Sequence, residues 1–210
     1  MKGDSLNKSY FEIGTIHLCK QDKVLSSIIK KSGTRNLTPH RKYFNLLLGA
    51  IISQQLSVKA AAAIEKRFMS YFNNKPSPEL VLATEDTVLR GFGLSNAKVK
   101  YVKDLSAKVF SGEVKLKGFS KMTDEEVIEH LTQIKGIGVW SAHMFLIFTL
   151  GRLNILPTGD LGIRKAVMLN YGLKKMPTED KVKKLARENN WHPYCTVASI
   201  YLWQSLDSKI

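Results

Sequence analysis

Apolar positions along this chain recur at helical spacing, and no stretch of strict alternation long enough for a strand stands out. Val24 to Ile29 carries a helical pattern that stops near Ser32-Gly33. Thr38-Pro39 reads as an N-cap followed by a first-turn proline. The helix it would open runs through Tyr43, Phe44, Leu46, Leu47, Leu48, Ile51 and Ile52, apolar over most of its circumference and therefore central. Ser57 caps an alanine-rich helix. Pro76-Ser77-Pro78 breaks the chain, and a short helix follows to Arg90. Ser95 caps a helix to about Phe110, and Thr123 with Glu126 forms a capping box. Val139 to Leu150 is strongly apolar, Asp160 caps Leu161 to Tyr171 ahead of Gly172, and Thr178 caps Glu179 to Asn190. A last helix covers about Pro193 to Gln204, while Met1 to Phe11 reads as a loose, polar end. The expected fold class is all-α, with nine or ten helices.

Composition narrows the partners. Lys and Arg number 32 against 18 Asp and Glu, a formal charge of +14. Such an excess favours a polyanion, with salt-sensitive binding, over the plainer alternative of a basic protein without one. The two cysteines, Cys19 and Cys195, are far apart and form no CxxC pair, which argues against zinc and iron–sulfur sites and for reduced thiols. No run reaches eighteen apolar residues and no secretory h-region opens the chain, so no membrane role is expected.

Two stretches carry candidate chemistry. Residues 131–142, Leu-Thr-Gln-Ile-Lys-Gly-Ile-Gly-Val-Trp-Ser-Ala, read as a helix end, a glycine hairpin and a new helix. Gly136 and Gly138 permit positive φ, and the amides of Ile137 to Trp140 would face outward at a helix start, where an anion is welcome. No Walker lysine follows, so this is not a nucleotide loop. Gly91-Phe92-Gly93-Leu94-Ser95-Asn96-Ala97 echoes the pattern. Asp160, about twenty residues on, is on its own terms a plain helix cap. Gln54-Gln55, between two buried helices, is either a solvated turn or a finger presented to a ligand.

Taken together, residues 131–142, Leu156 to Lys165 around Asp160, Ile51 to Ser57 and Trp191 to Trp203 resemble the helix–hairpin–helix and Gly-Pro-Asp signature of the DNA base-excision glycosylases. The nearest branch is the AlkA/Mag-type 3-methyladenine DNA glycosylases, and the matches run in order from about residue 40 to 206. The resemblance implies a two-lobed helical glycosylase with its cleft between lobes: about 40–130 in one, 1–39 with 131–210 in the other. It implies Asp160 as the catalytic carboxylate, and Trp140, Tyr194 and Met144 lining the base pocket. Gln55, or else Leu56, would fill the gap left by a flipped base, and Leu94 would press on the opposite strand. Gly136, Ile137, Gly138 and Val139 would hold a phosphate, joined by Lys135, Arg164 and Lys165 unless these are merely solvated side chains. The carbonyls of Thr132, Ile134 and Ile137 would suit a structural Na⁺ or K⁺; no other cofactor and no iron–sulfur cluster is expected.

In the lyase branches a lysine nucleophile sits two residues after the second hairpin glycine, where this chain has Trp140. The expected activity is therefore monofunctional hydrolysis of alkylated, cationic purines in double-stranded DNA, by a monomer in the nucleoid or nucleus. The competing readings are a non-catalytic helix–hairpin–helix DNA-binding protein and a glycosylase for deaminated or oxidised bases.

Overall fold

The computed structural model describes residues 3–33 and 37–207, with the backbone alone for 3–9. Among these residues the chain is all-helical, and it divides into two compact units, Met1–Pro39 with Leu146–Ile210, and His40–Phe145.

The unit formed by the chain ends contains α1 (Gly3–Gln21), α2 (Lys23–Ser32), α10 (Leu161–Asn170), α11 (Glu179–Glu188) and α12 (Cys195–Asp207). Helix α12 packs on α1, α2 and α10, and α10 also meets α11. The core contains Phe11, Leu18, Leu25, Val167, Trp191 and Tyr201. The expected loose start is instead the long helix α1, because Phe11 and Leu18 on its inner face are buried. Met1 and Lys2 lie outside the described residues.

The other unit contains α3 (Tyr43–Ser53), α4 (Val58–Tyr71), α5 (Pro78–Ala83), α6 (Asp86–Gly91), α7 (Asn96–Ser111), α8 (Asp124–Thr132) and α9 (Val139–Met144). Helix α7 is its hub, packing on α3, α5 and α6. Three lysines of α7 lie five residues apart, and at about 100° per residue they fan out around the helix. Lys98 donates to the carbonyls of Ile52 and Gln54 at the end of α3, at 2.8 and 2.7 Å. Lys103 donates to Leu82 and Thr84 at the end of α5, and Lys108 to Gln133 at the end of α8. Each ammonium thus meets carbonyls left without an intrahelical donor, at the negative end of a helix dipole.

Several sequence expectations hold. Ser57, Ser95, Asp160 and Thr178 each accept a backbone N–H as caps, and Thr123 with Glu126 forms the capping box. Three helix assignments do not. Thr38-Pro39 starts no helix: the chain there is irregular, and α3 begins at Tyr43 with no side-chain cap on Lys42. Residues 78–90 form two helices, because the Thr84 hydroxyl bonds back to Leu80 and Lys103 closes off the end of α5. Val139–Leu150 is interrupted, α9 giving way to a π-helical turn at Phe145–Thr149. Two of the three failures fall where the chain passes from one unit to the other, at Pro39–His40 and Phe145–Leu146.

The lobe boundary also differs from the expected one. Residues 131–145 belong with His40–Phe145, because the hairpin is bonded to α3 and α7, as described next.

Candidate active site

In the His40–Phe145 unit two turns are displayed. The first, Gln54-Gln55-Leu56-Ser57, links α3 to α4. Gln55 takes φ 55°, the left-handed region that a non-glycine residue rarely enters, and its side chain is exposed. Leu56 is exposed as well. Such strain persists only where surrounding bonds fix it. Here they come from the Leu56 amide, which donates to the Ser53 carbonyl across the turn at 3.3 Å, from Lys98, whose ammonium pins the Gln54 carbonyl, and from the Gln54 side chain, whose Nε2 donates to the Gly136 carbonyl at 2.7 Å. Burial of Lys98 presses its pKa below the usual lysine value.

The second turn is the hairpin between α8 and α9. Gly136 takes φ 84°, and a Cβ there would fall 2.3 Å from the Tyr101 ring, so glycine is required twice over. Asp104 accepts the Lys135 backbone N–H at 2.8 Å and lies 3.7 Å from its ammonium. Gly138 differs from the expectation. It is extended, at φ −97°, as the N-cap of α9, and a Cβ there would meet nothing within 4 Å. Nothing internal demands glycine at 138, so its bare backbone is available for close approach by an outside group. The Ile137 amide is not free for an anion, since it donates to Ile134 within the turn at 3.0 Å. Gly138 and Val139 stand at the N-cap and first position of α9, where helix geometry leaves N–H groups without an internal acceptor.

Trp140 follows on the first turn of α9 and is 51% exposed, too much for an ordinary core indole. Met144, partly buried, lies one turn further on. Leu94 is corrected by the structure. The echo of the glycine pattern places it before the cap of α7, but only 4% of it is exposed, so it presents no face to a duplex.

In the unit of the chain ends, Asp160 caps α10. Its Oδ1 accepts the Ile163 amide and the indole N–H of Trp203, each at 2.8 Å. Gly162 keeps this contact open, since a Cβ there would lie 2.9 Å from Asp160 Oδ1 and 3.1 Å from the Trp203 ring. The Trp203 ring in turn lies 5.9 Å from that of Phe148, which is exposed. Tyr194 is partly buried, with its ring against Gly14 and 5.2 Å from the His17 ring. Arg164 donates through Nε to the Pro177 carbonyl at 2.8 Å, and Lys165 is exposed. No motif in the sequence marks Trp203 as a site residue. Its place on α12, two helices past the one that Asp160 caps, gives no local signal, and only the fold brings indole and carboxylate together.

The same unit holds Asp22, which no sequence motif marks either. It is 1% exposed and caps α2 through Oδ1, while Oδ2 accepts the Tyr171 hydroxyl at 2.5 Å and the Trp191 indole N–H at 2.8 Å.

A displayed glycine hairpin with an exposed indole on its second helix, and a partly exposed aspartate capping a helix further on, define a helix–hairpin–helix protein equipped with a carboxylate. The HhH-GPD superfamily of base excision DNA repair proteins matches residues 48–191, and the chain belongs to it. DNA-3-methyladenine glycosylase 1 of Schizosaccharomyces pombe is 36% identical over 198 residues, which cover 90% of this chain and 85% of that protein. The alkylbase DNA glycosidase-like protein mag2 of the same yeast is 33% identical over 194 residues, 90% of each chain. A solved structure of S. pombe Mag1 in complex with abasic DNA matches with a TM-score of 0.83 at 35% identity, covering 93% of this chain and 97% of that one.

Proposed function

We propose that the protein is a monofunctional DNA glycosylase that flips cationic alkylated purines, such as 3-methyladenine and 7-methylguanine, out of double-stranded DNA and hydrolyses their glycosidic bond. The observation that carries this reading is Asp160, a partly exposed carboxylate held by an amide and an indole N–H in a chain belonging to a base-excision repair family.

A base in the duplex cannot be reached without extrusion, at a cost of a few kcal/mol. Gln55, on its strained and exposed turn, is the side chain that would enter the gap, with Leu56 beside it. The amides of Gly138 and Val139 would take a backbone phosphate at the start of α9. Trp140 and Met144 would line the base pocket on the α9 side. A cationic purine over an indole face gains about 0.5–2 kcal/mol, which selects charged lesions without a dense set of hydrogen bonds.

In the reaction the C1′–N bond breaks and its electron pair leaves with the base, which departs neutral because it began as a cation. The sugar gains oxocarbenium character, and the Asp160 carboxylate stabilises that charge. Water adds to C1′, and its proton passes to Asp160 or to solvent. An abasic site results. Trp140 has no amine with which to form a Schiff base, so the strand stays uncut. The carbonyls of Thr132, Ile134 and Ile137 are neutral oxygens on one turn with no carboxylate among them, a donor set that fits a structural monovalent cation.

The test is base release from methylated duplex DNA followed by alkali. Wild type should release methylated purines and give strand breaks only after alkali. Asp160→Asn, which keeps a good helix cap, should lose about two orders of magnitude or more in rate. DNA binding without release from alkylated, deaminated or oxidised substrates would instead make this a non-catalytic binding protein.

A further inference from the structure

One face of α7 touches both displayed turns. Lys98, Tyr101, Asp104 and Lys108 fall within about a third of the helix circumference. Lys98 bonds the Ile52 and Gln54 carbonyls on the Gln55 turn. Tyr101 fills the space that Gly136 leaves, Asp104 accepts the Lys135 amide, and Lys108 bonds the Gln133 carbonyl, all on the hairpin. Gln54 then closes the circuit directly, its side chain donating to the Gly136 carbonyl.

We propose that this face of α7, with Gln54, is a register that couples the base-displacing turn to the phosphate-holding hairpin, so that seating a phosphate on the hairpin sets where Gln55 enters the duplex. The proposal rests on the glycosylase reading. Gln54 and Lys98 are positioning residues in it and touch neither the base nor the sugar. The Leu56 amide closes the turn on the Ser53 carbonyl at 3.3 Å, and among the described residues the side chain that bonds its backbone from outside is Lys98, on the same face of α7 as Tyr101 and Asp104, which serve the hairpin. An amide side chain bonded to a hairpin carbonyl is also short and directional, so a shift of one turn moves the other.

A register of this kind matters only when a partner base must be displaced. The experiment compares two substrates, a methylated purine in an ordinary duplex and the same lesion opposite an abasic analogue, where extrusion costs less. Gln54→Met should lower single-turnover release from the ordinary duplex by about tenfold, as loss of one net hydrogen bond would, and Lys98→Met, which removes two, by at least as much. Release opposite the abasic analogue should fall less than about threefold, and the salt dependence of binding to undamaged duplex should not change. Lys98→Arg, which can still donate to carbonyls, should recover most of the loss. Equal losses on both substrates, or no loss on either, would overturn the coupling while leaving the glycosylase reading intact. A wild type that releases no base from either substrate would overturn the glycosylase reading and the coupling with it. Should Lys98→Met prove unstable by thermal melting, the half-exposed Gln54→Met variant decides the matter.

Discussion

Asp22 caps α2 and Asp160 caps α10, and each carboxylate also accepts an indole N–H, from Trp191 and Trp203 respectively. The surroundings separate them. Asp22 is buried, and its two oxygens take two amides, a hydroxyl and an indole, a full set of donors far from solvent. Asp160 is partly exposed at the mouth of a turn, and its amide and indole bonds fall on one oxygen. A saturated, buried carboxylate stabilises a fold by being fully satisfied. A carboxylate that is partly open to solvent can meet developing positive charge. Local motif and partner type are the same; exposure divides structure from chemistry.

Substitution should split the pair in opposite directions. Asp160→Asn is expected to have the largest effect on turnover and little on stability, since asparagine caps as well as aspartate. Asp22→Ala should do the reverse. It strands the Trp191 N–H, the Tyr171 hydroxyl and two amides in a buried site, at a cost of about 3–5 kcal/mol in urea denaturation, the scale for breaking a buried charged network. Its folded fraction, assayed well below the melting temperature, should release methylated purines at the wild-type rate. An Asp22 variant that lost rate without stability would dissolve the distinction.

Trp203→Phe tests the shared feature, the indole donor. It keeps an aromatic ring beside Phe148 and removes the N–H to Asp160 along with part of the indole's bulk. The expected result is a fall of about tenfold in kcat with KM unchanged, the carboxylate losing one of the bonds that orient it. The same substitution in an Asp160→Asn background should cost nothing further, because the two act as a unit. Additive losses would make Trp203 a packing residue and no more.

Much of this was legible in the sequence, for reasons that are local. Ser57, Ser95, Thr123, Asp160 and Thr178 announce helix starts because a cap is a bond between near neighbours. The hairpin and the aspartate beyond it were legible as a pattern of glycines and spacing. What escaped depends on tertiary structure. Thr38-Pro39 has the chemistry of a helix start, but it is spent on the passage between units. Leu94 sits in a glycine-flanked turn like that of Val139, yet the first side chain is buried and the second exposed, and no periodicity distinguishes them. The lysines of α7 look like a solvated charge run, and only the ends of α3, α5 and α8 give them their role. Asp22 stands before Lys23 as an unremarkable cap until Tyr171 and Trp191, some 150 residues on, complete it.

The smallest expected effect separates the aspartates by pH. Burial and the bond to Asp22 both push the Tyr171 hydroxyl well above its ordinary value of 10.0. Burial alone raises the nearby core thiol of Cys195 from 9.0 to about 11. In both cases the folded state holds a proton that the unfolded chain gives up more readily. The resulting stability is complete below the unfolded pKa and is lost as pH rises through the folded one. The urea midpoint should therefore be flat at neutral pH and decline from about pH 9 upward, with Cys195 giving way first. Tyr171→Phe should start lower at pH 7, by about 1.5–3 kcal/mol for a lost bond to a charged group, and decline less steeply because one of the two titrating groups is gone. Trp203→Phe removes neither of these groups, so it should leave the slope as it is in wild type. A slope that changed equally in both variants would mean that the two carboxylates share one cooperative network, and that exposure alone does not set them apart.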